Sequence, residues 1–168
     1  GYYERLGFDL QAESFEALCE TYVASYMSKI DRCALTPGSR ELLGQVKQSG
    51  KTQSVLSATD QPNLESMLAT FEVDSYFDYI FGIHDKLAAG KIARGHELMR
   101  TSGISPGRTI LVGDTAHDLE VGRELGISVL LVTHGHQCAE SLRQIHDNVI
   151  DISAESRLPS REAVSARS

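Results

Sequence analysis

Short apolar runs alternate with amphipathic segments along most of the chain, and this alternation predicts strands separated by helices. The predicted strands cover residues 52–57, 79–81, 109–112, 128–132 and 149–152. Most of these runs are short and almost continuously apolar, as expected of parallel strands that are covered on both faces. The pattern therefore predicts an α/β fold built on a doubly wound parallel sheet, with the last strand at its edge.

Apolar residues at three- and four-residue spacings predict the helices. The strongest such pattern comes before any strand, and its members are Phe15, Leu18, Cys19, Tyr22, Val23, Tyr26, Met27 and Ile30, with Ser14 as N-cap. A further helix is predicted from Thr36-Pro37-Gly38 to Gly50, with the Thr36 hydroxyl as its cap and Pro37 at its first position. Others are predicted after a capping Asp60, over residues 91–100, and over 119–125 before Gly126. We therefore predict a helical segment at 1–35, an α/β core at 36–152 and a polar, flexible tail at 153–168.

Composition limits the partners and the location. The 168 residues are 41% hydrophobic and 23% charged, enough for one well-buried domain. The net charge of −7 argues against a nucleic-acid surface and, with no basic run, against an anionic membrane. Three cysteines without CxxC spacing, and no apolar run of about 18 residues, favour a soluble protein in the reducing cytoplasm. A small-molecule or protein partner is favoured.

Polar residues that could carry chemistry follow the predicted strands. Ser57 ends the first strand, Asp114 and Asp118 follow the third, and Lys91 begins a helix. Ligands of such sheets bind at the carboxyl ends of the strands. A buried strand that ends on carboxylates is a costly place for charge, so a bound cation or a catalytic task is the expected compensation.

The order and spacing of these residues resemble three motifs of the haloacid dehalogenase superfamily, in its phosphoglycolate-phosphatase-like branch. Val55-Leu56-Ser57-Ala58 is similar to the second motif and Ala89-Gly90-Lys91 to the third, although Ile92 stands where a proline often follows that lysine. Residues 112–118, Val-Gly-Asp-Thr-Ala-His-Asp, are similar to the fourth. The resemblance covers residues 36–152 and implies a Rossmann-like core, with residues 1–35 as the later part of a helical cap.

The resemblance implies a Mg²⁺-dependent phosphatase and a role for each matched residue. Asp114 would bind Mg²⁺ directly, and Asp118 would hold a metal-bound water or orient Asp114. Ser57 and the amide of Ala58 would donate hydrogen bonds to the phosphate, and Lys91 would neutralise its charge. A small phosphorylated metabolite would be the substrate.

Structural roles compete with these assignments. Asp114 could be the N-cap of the following helix with Asp118 in its first turn, and Ser57 could be a turn or cap residue. Lys86 lies in the same connection as Lys91 and could be the lysine of the third motif instead. We prefer Lys91 for that role, because Lys91 begins a helix with an apolar pattern.

The histidines offer a metal alternative that their spacing does not favour. His134 and His136 flank Gly135, and His84 and His117 lie elsewhere in the chain, but together they match no zinc pattern. A loop element is the preferred interpretation of His134-Gly135-His136.

The first motif of the superfamily, Asp-x-Asp-Gly-Thr at the end of the nucleophile-bearing central strand, does not occur in the sequence. Its first aspartate attacks phosphorus and its second serves as general acid and base. We therefore expect the isolated chain to be an inactive phosphatase. The alternative is a non-catalytic binding or interaction module of the same fold. Two other proteins of similar fold are disfavoured. A haloacid dehalogenase proper needs no metal, so it would not need the paired aspartates. A phospho-receiver domain needs its acidic pair at the first strand, whereas here the acidic pair comes after Ser57 and Lys91.

The missing central strand has a structural consequence as well. In this fold it lies between the strands that end at Ser57 and Val112, and its loss would leave two unpaired edges. We expect one of three outcomes. The two strands pair directly, a second copy or an exchanged segment fills the gap in a homo-oligomer, or the strand lies outside this sequence.

Overall fold

The chain divides into two compact units, Gly1–Ala34 and Leu35–Ser168. The structure, a computed structural model, describes residues 15–84 and 89–151. The predicted cap residue Ser14, the competing Lys86 and the predicted tail at 153–168 lie outside these ranges.

In the first unit, the predicted helix is present as α1 (Phe15–Met27) and is followed by a 3₁₀ turn at Ile30–Arg32. Leu18 is buried, whereas Tyr22 and Tyr26 of the same helix are exposed. Its role as part of a cap stays a prediction.

In the second unit, helices and strands alternate as the apolar pattern predicts. The helices are α2 (Ser39–Gln48), α3 (Gln61–Thr70), α4 (Ala89–Ser102), α5 (Ala116–Leu125) and α6 (Ala139–Ile145). The strands are β1 (Ser54–Asp60), β2 (Tyr79–Ile83), β3 (Ile110–Gly113), β4 (Ser128–Val132) and β5 (Val149–Ile150). Within the described ranges, no helix combines the length and the apolar character needed to cross a membrane.

The strands form two parallel sheets, one of β1 and β2 and one in the order β3-β4-β5. Pairing of β3 with β4 is regular from Ile110 to Gly113. Pairing of β1 with β2 is regular only as far as Leu56, shifts register, and resumes at Asp60. The predicted α/β class with parallel strands is confirmed, and β1 runs three residues beyond its predicted end at Ser57.

One edge of β1 and one edge of β3 have no partner among the described residues. Val112, in β3, is 40% exposed although it belongs to an apolar strand. The expectation that the strands ending at Ser57 and Val112 pair directly is therefore wrong, because their backbones belong to separate sheets. The other two outcomes stay predictions.

Local sequence explains where some of the helices begin or end. The Asp60 side chain accepts a hydrogen bond from the amide of Asn63, so the predicted cap of α3 is confirmed. Gly126 ends α5 with a φ of 66°, a conformation that suits glycine. The predicted cap at Thr36-Pro37 is wrong, because α2 begins after Gly38, whose φ is 84° and which offers no side chain.

The core connects the two sheets beneath helices α4 and α5. One cluster joins α5, β4 and α6 through Leu119, Val129, Leu131 and Leu142. A second cluster is formed by Val121, Leu125 and Ile127, with Leu56, Ile92 and Met99 packed against it. Leu111 of β3 packs against both clusters. Apolar packing thus holds the two sheets together although no backbone ladder joins them.

Candidate functional site

Asp114 follows the carboxyl end of β3, where a parallel sheet offers a ligand site. Gly113 precedes it, and a Cβ atom at that position would overlap the side chain of Asp118. The glycine therefore lets the carboxylate of Asp118, four residues after Asp114, lie directly against the turn. The strand-Gly-Asp pattern therefore has a steric reason.

Asp118 organises this turn. Its Oδ2 accepts hydrogen bonds from the amides of Asp114 and Thr115, at 3.1 and 3.0 Å, and from the Thr115 hydroxyl at 2.7 Å. Thr115 in turn is the N-cap of α5 and accepts from the Asp118 amide, which completes a capping box. The alternative in which Asp114 caps the helix is wrong. Asp118 takes the first-turn place expected for it and holds the backbone of Asp114.

Lys91 forms an ion pair with the other carboxylate oxygen of Asp118. Its Nζ lies 2.6 Å from Asp118 Oδ1, and the two side chains are only 11% and 6% exposed. Burial raises the pKa of the Asp118 carboxyl, but the hydrogen bond and charge of Lys91, with the donors from Thr115 and Asp114, outweigh burial and leave the pKa below its ordinary value. The carboxylate is therefore charged in the folded protein, and its oxygens are already occupied by donors.

Asp114 contacts the loop after β4. The backbone amide of His136 donates to Asp114 Oδ2 at 2.7 Å, and Nδ1 of the same histidine lies 2.9 Å from that oxygen. A Cβ atom at Gly135 would overlap the Asp114 carboxylate. Gln137 is tied to the next turn, because its Oε1 accepts from the amide of Ala116 at 2.5 Å. This loop holds the carboxylate of Asp114, whereas Asp118 holds its backbone amide.

Ser57 lies in β1, within the stretch where pairing with β2 is interrupted. Its hydroxyl oxygen accepts from the amide of Thr59 at 3.1 Å, as expected of the turn role considered above. Ala58 beside it is exposed. The structure thus joins Lys91, Asp114 and Asp118 into one hydrogen-bonded group and places Ser57 on the other sheet.

A carboxylate oxygen of Asp114 is a suitable ligand for Mg²⁺. This ion usually keeps several waters and needs only one or two carboxylates plus a substrate phosphate. The Asp114 side chain is 31% exposed. Asp118 fits a direct ligand less well, because Lys91 and three donors surround it. Over residues 15–84 and 89–151, no group of three or more His, Cys, Asp or Glu side chains is arranged to hold a metal ion. Waters and phosphate would have to complete the shell.

Three contributors to this site had no role in it assigned from the sequence: Thr115, Gln137 and His136, which was considered only as a loop element and within a disfavoured histidine metal site. The spacing of Thr115 and Asp118 is a capping-box signal, so this pair could have been found. His136 and Gln137 act on residues 22 and 21 positions away. No local sequence pattern predicts such a contact. Gly135 is required by the Asp114 carboxylate, but in the sequence it cannot be distinguished from any other loop glycine.

Comparison with known proteins identifies a family for the chain. The family model described as Haloacid dehalogenase-like hydrolase matches residues 2–132. A probable phosphatase of Dickeya dadantii, IndB, is 30% identical over 68% of this chain and 50% of its own length. A phosphoglycolate phosphatase of Synechococcus elongatus is 27% identical over 64% of this chain and 50% of its own length.

The fold is shared with solved structures. The crystal structure of a predicted phosphatase from Clostridium acetobutylicum superposes with a TM-score of 0.76 at 20% identity, covering 89% of this chain and 70% of that one. The chain spans about half the length of the two curated relatives named above.

Proposed function

The chain belongs to the haloacid dehalogenase-like hydrolases, and on that premise we propose that it forms the metal- and phosphate-binding part of a Mg²⁺-dependent phosphomonoester hydrolase. The observation that carries the proposal is the buried Lys91–Asp118 pair, at 2.6 Å, directly behind the half-buried carboxylate of Asp114. A charged network at the carboxyl end of a parallel strand is where such a fold binds its ligand.

Each residue of the network has a distinct role in this proposal. Asp114 binds the ion, which when present supplies positive charge for the phosphate oxygens. Asp118 holds the amides of Asp114 and Thr115 and so fixes the direction of the Asp114 carboxylate. Lys91 keeps Asp118 ionised and presents its remaining donors to the phosphate. Ser57 and the amide of Ala58 donate to the phosphate from the other sheet.

The substrate we propose is a small phosphorylated metabolite. Two kinds of relative support this class: a probable phosphatase and proteins named phosphoglycolate phosphatase. Phosphoglycolate is therefore the first compound to assay.

The open edges of β1 and β3 suggest where a strand that carries the attacking carboxylate would pair. Both edges are unpaired among the described residues, and Val112 of β3 is exposed. A strand placed there would satisfy both backbones and would end beside Asp114. We propose that this strand carries the attacking carboxylate, and that the isolated chain without it does not turn over substrate.

A phosphatase assay with phosphoglycolate and a panel of other small phosphomonoesters tests the proposal. The chain alone is expected to release no phosphate above background. The same chain carrying, ahead of Gly1, an apolar strand that ends in Asp-x-Asp-Gly-Thr is expected to gain Mg²⁺-dependent release. Asp114→Asn in the extended protein should abolish the gain, because the ion loses its charged ligand. Robust turnover by the short chain would contradict the assigned roles.

The non-catalytic alternative is favoured by one observation, the lack of the Asp-x-Asp-Gly-Thr motif in the sequence. It predicts that the chain binds Mg²⁺ and phosphate and that no extension confers turnover. Calorimetric titration with each ligand separates this alternative from a scaffold that binds neither at millimolar concentration. Native mass spectrometry checks whether a second copy completes the sheet, the homo-oligomer considered from the sequence.

A further inference from the structure

We infer that Gln137 is a positioning residue for Asp114: its side chain anchors the loop after β4, so that the His136 amide holds one carboxylate oxygen and leaves the other for the ion. The inference rests on the proposed function only in taking Asp114 as the metal-binding carboxylate. It gives a role in ion binding to a residue that lies 21 positions from its contact, Ala116.

The Gln137 side chain caps α5 from a distant part of the chain. The first amides of a helix have no partner within the helix. In α5 the capping box satisfies two of them, the amides of Thr115 and Asp118. Gln137 Oε1 accepts from a third, the amide of Ala116, at 2.5 Å. The loop after β4 is therefore tied to the turn that follows Asp114.

The residue before Gln137 carries this anchor to the carboxylate. The His136 amide donates to Asp114 Oδ2 at 2.7 Å, and its ring Nδ1 lies 2.9 Å from the same oxygen. Within residues 15–84 and 89–151, every hydrogen bond to this carboxylate is made to Oδ2. The side chain is partly exposed, so Oδ1 is the oxygen left for an ion that needs only one or two carboxylates. A carboxylate held in this way loses little conformational entropy when the ion binds.

The loop needs an anchor, because its backbone conformation is an uncommon one. His134 has a φ of 69°, in the left-handed region that residues other than glycine rarely adopt. Such a conformation persists where the surrounding contacts impose it. A Cβ atom at Gly135 would overlap the Asp114 carboxylate, so the loop passes this side chain at close range. Release of Gln137 should therefore let the loop, and with it the His136 amide, move away from Asp114.

Two substitutions of Gln137 test the inference without any turnover. Gln137→Met keeps the length of the side chain and removes the acceptor, whereas Gln137→Glu keeps an acceptor for the Ala116 amide. In the NMR spectrum we expect the His136 amide proton to move upfield in Gln137→Met, because its bond to the charged oxygen lengthens, and to return in Gln137→Glu. Calorimetry should show Mg²⁺ binding weakened about fivefold in Gln137→Met and no weaker than that of the natural sequence in Gln137→Glu.

Gln144→Met is the matched control, because it makes the same change at an exposed glutamine of α6. It should leave the His136 amide resonance and the Mg²⁺ affinity as they are in the natural sequence. Circular dichroism checks that each variant is folded, and Gln137→Asn, which is too short to reach Ala116, replaces a Met variant that does not fold.

Two results would overturn the inference: a His136 amide proton that does not move in the folded variant without the acceptor, or an amide that moves while the Mg²⁺ affinity stays the same. Unchanged Mg²⁺ binding in Asp114→Asn, or no Mg²⁺ binding by the natural sequence, would instead reject the metal site of the proposed function. The amide resonance then still decides whether Gln137 anchors the loop.

Discussion

The sheet of β3, β4 and β5 and the sheet of β1 and β2 position their polar residues in different ways. At the end of β3 the pairing is regular, and Asp114 is held on one side by Asp118 and on the other by the His136 amide. In β1 the pairing is interrupted after Leu56, and the Ser57 hydroxyl accepts a hydrogen bond from the amide of Thr59, two residues further along the chain. Asp114 is held both by its own turn and by a residue 22 positions away, whereas Ser57 is held by its own turn.

This difference indicates which half of the site is formed in advance. A carboxylate that receives fixed donors keeps its direction before any ligand binds. The β1 turn lies beside an open strand edge, so its final geometry depends on what pairs there. In the proposed function, the half of the site that would bind the metal at Asp114 is therefore preorganised, and the half that would bind phosphate at Ser57 is not.

The largest effect should come from the buried ion pair. Asp118→Asn leaves the Lys91 ammonium buried without its counter-charge, and we expect the free energy of unfolding to fall by about 3 kcal/mol. Urea denaturation followed by circular dichroism measures it. Glu120→Gln is the matched control, because its contact with His117 is exposed, and it should change stability by less than about 0.5 kcal/mol. Equal effects of the two changes would contradict a special role for the buried pair.

A smaller loss should follow from crowding the β3–β5 sheet. A Cβ atom at Gly122 of α5 would overlap the side chain of Val129 in β4, so Gly122→Ala should cost about 2 kcal/mol. Gly44→Ala in α2 provides the comparison, since its Cβ would meet Tyr76 at an ordinary 3.9 Å. We expect it to be neutral or to stabilise by up to about 1 kcal/mol through helix propensity. Thermal unfolding of both variants decides; similar losses would mean that close packing of α5 on β4 is unimportant.

The β1–β2 sheet should lose less when its side-chain bridge is removed. Gln61 Oε1 accepts from the buried amide of Gly82 at 2.6 Å, and its Nε2 donates to Ile80 O at 3.0 Å. These bonds repair the interrupted ladder, so Gln61→Ala should cost about 1.5 kcal/mol. Gln45→Ala, on the exposed face of α2, should stay within about 0.5 kcal/mol. If denaturation finds no difference between these variants, β2 is held by other contacts.

The smallest effect should be a pH dependence. Because the pKa of folded Asp118 lies below its ordinary value, the unfolded chain takes up more protons on acidification. The stability from this group is complete at neutral pH and is lost from about pH 4 downward, through the folded pKa. The stability difference between the natural sequence and Asp118→Asn should therefore shrink below about pH 4. A difference that is the same at pH 7 and pH 3.5 would show that the Asn variant fails for another reason.

Several local features of this protein could be predicted because the responsible residues are neighbours in the chain. The apolar runs predicted the strands, with β4 at the predicted residues, and Asp60 and Gly126 act where α3 begins and α5 ends. The predicted start of α2 was wrong, because a proline and a hydroxyl can also form the turn that precedes a glycine cap. Asp114 and Asp118, in the turn after β3, were both predicted as site residues, but the difference between their environments was not predicted.

The sequence by itself determined the α/β class, the parallel strands and the strand-Gly-Asp turn, since these depend on side-chain periodicity and on nearby residues. Only the tertiary structure decided that Lys91 neutralises Asp118 across 27 residues, that His136 reaches Asp114 across 22, and that β1 and β3 keep open edges. Those outcomes depend on which strands become neighbours and on how the connecting helices pack. Periodicity records which side of an element is buried, and does not record what it is buried against.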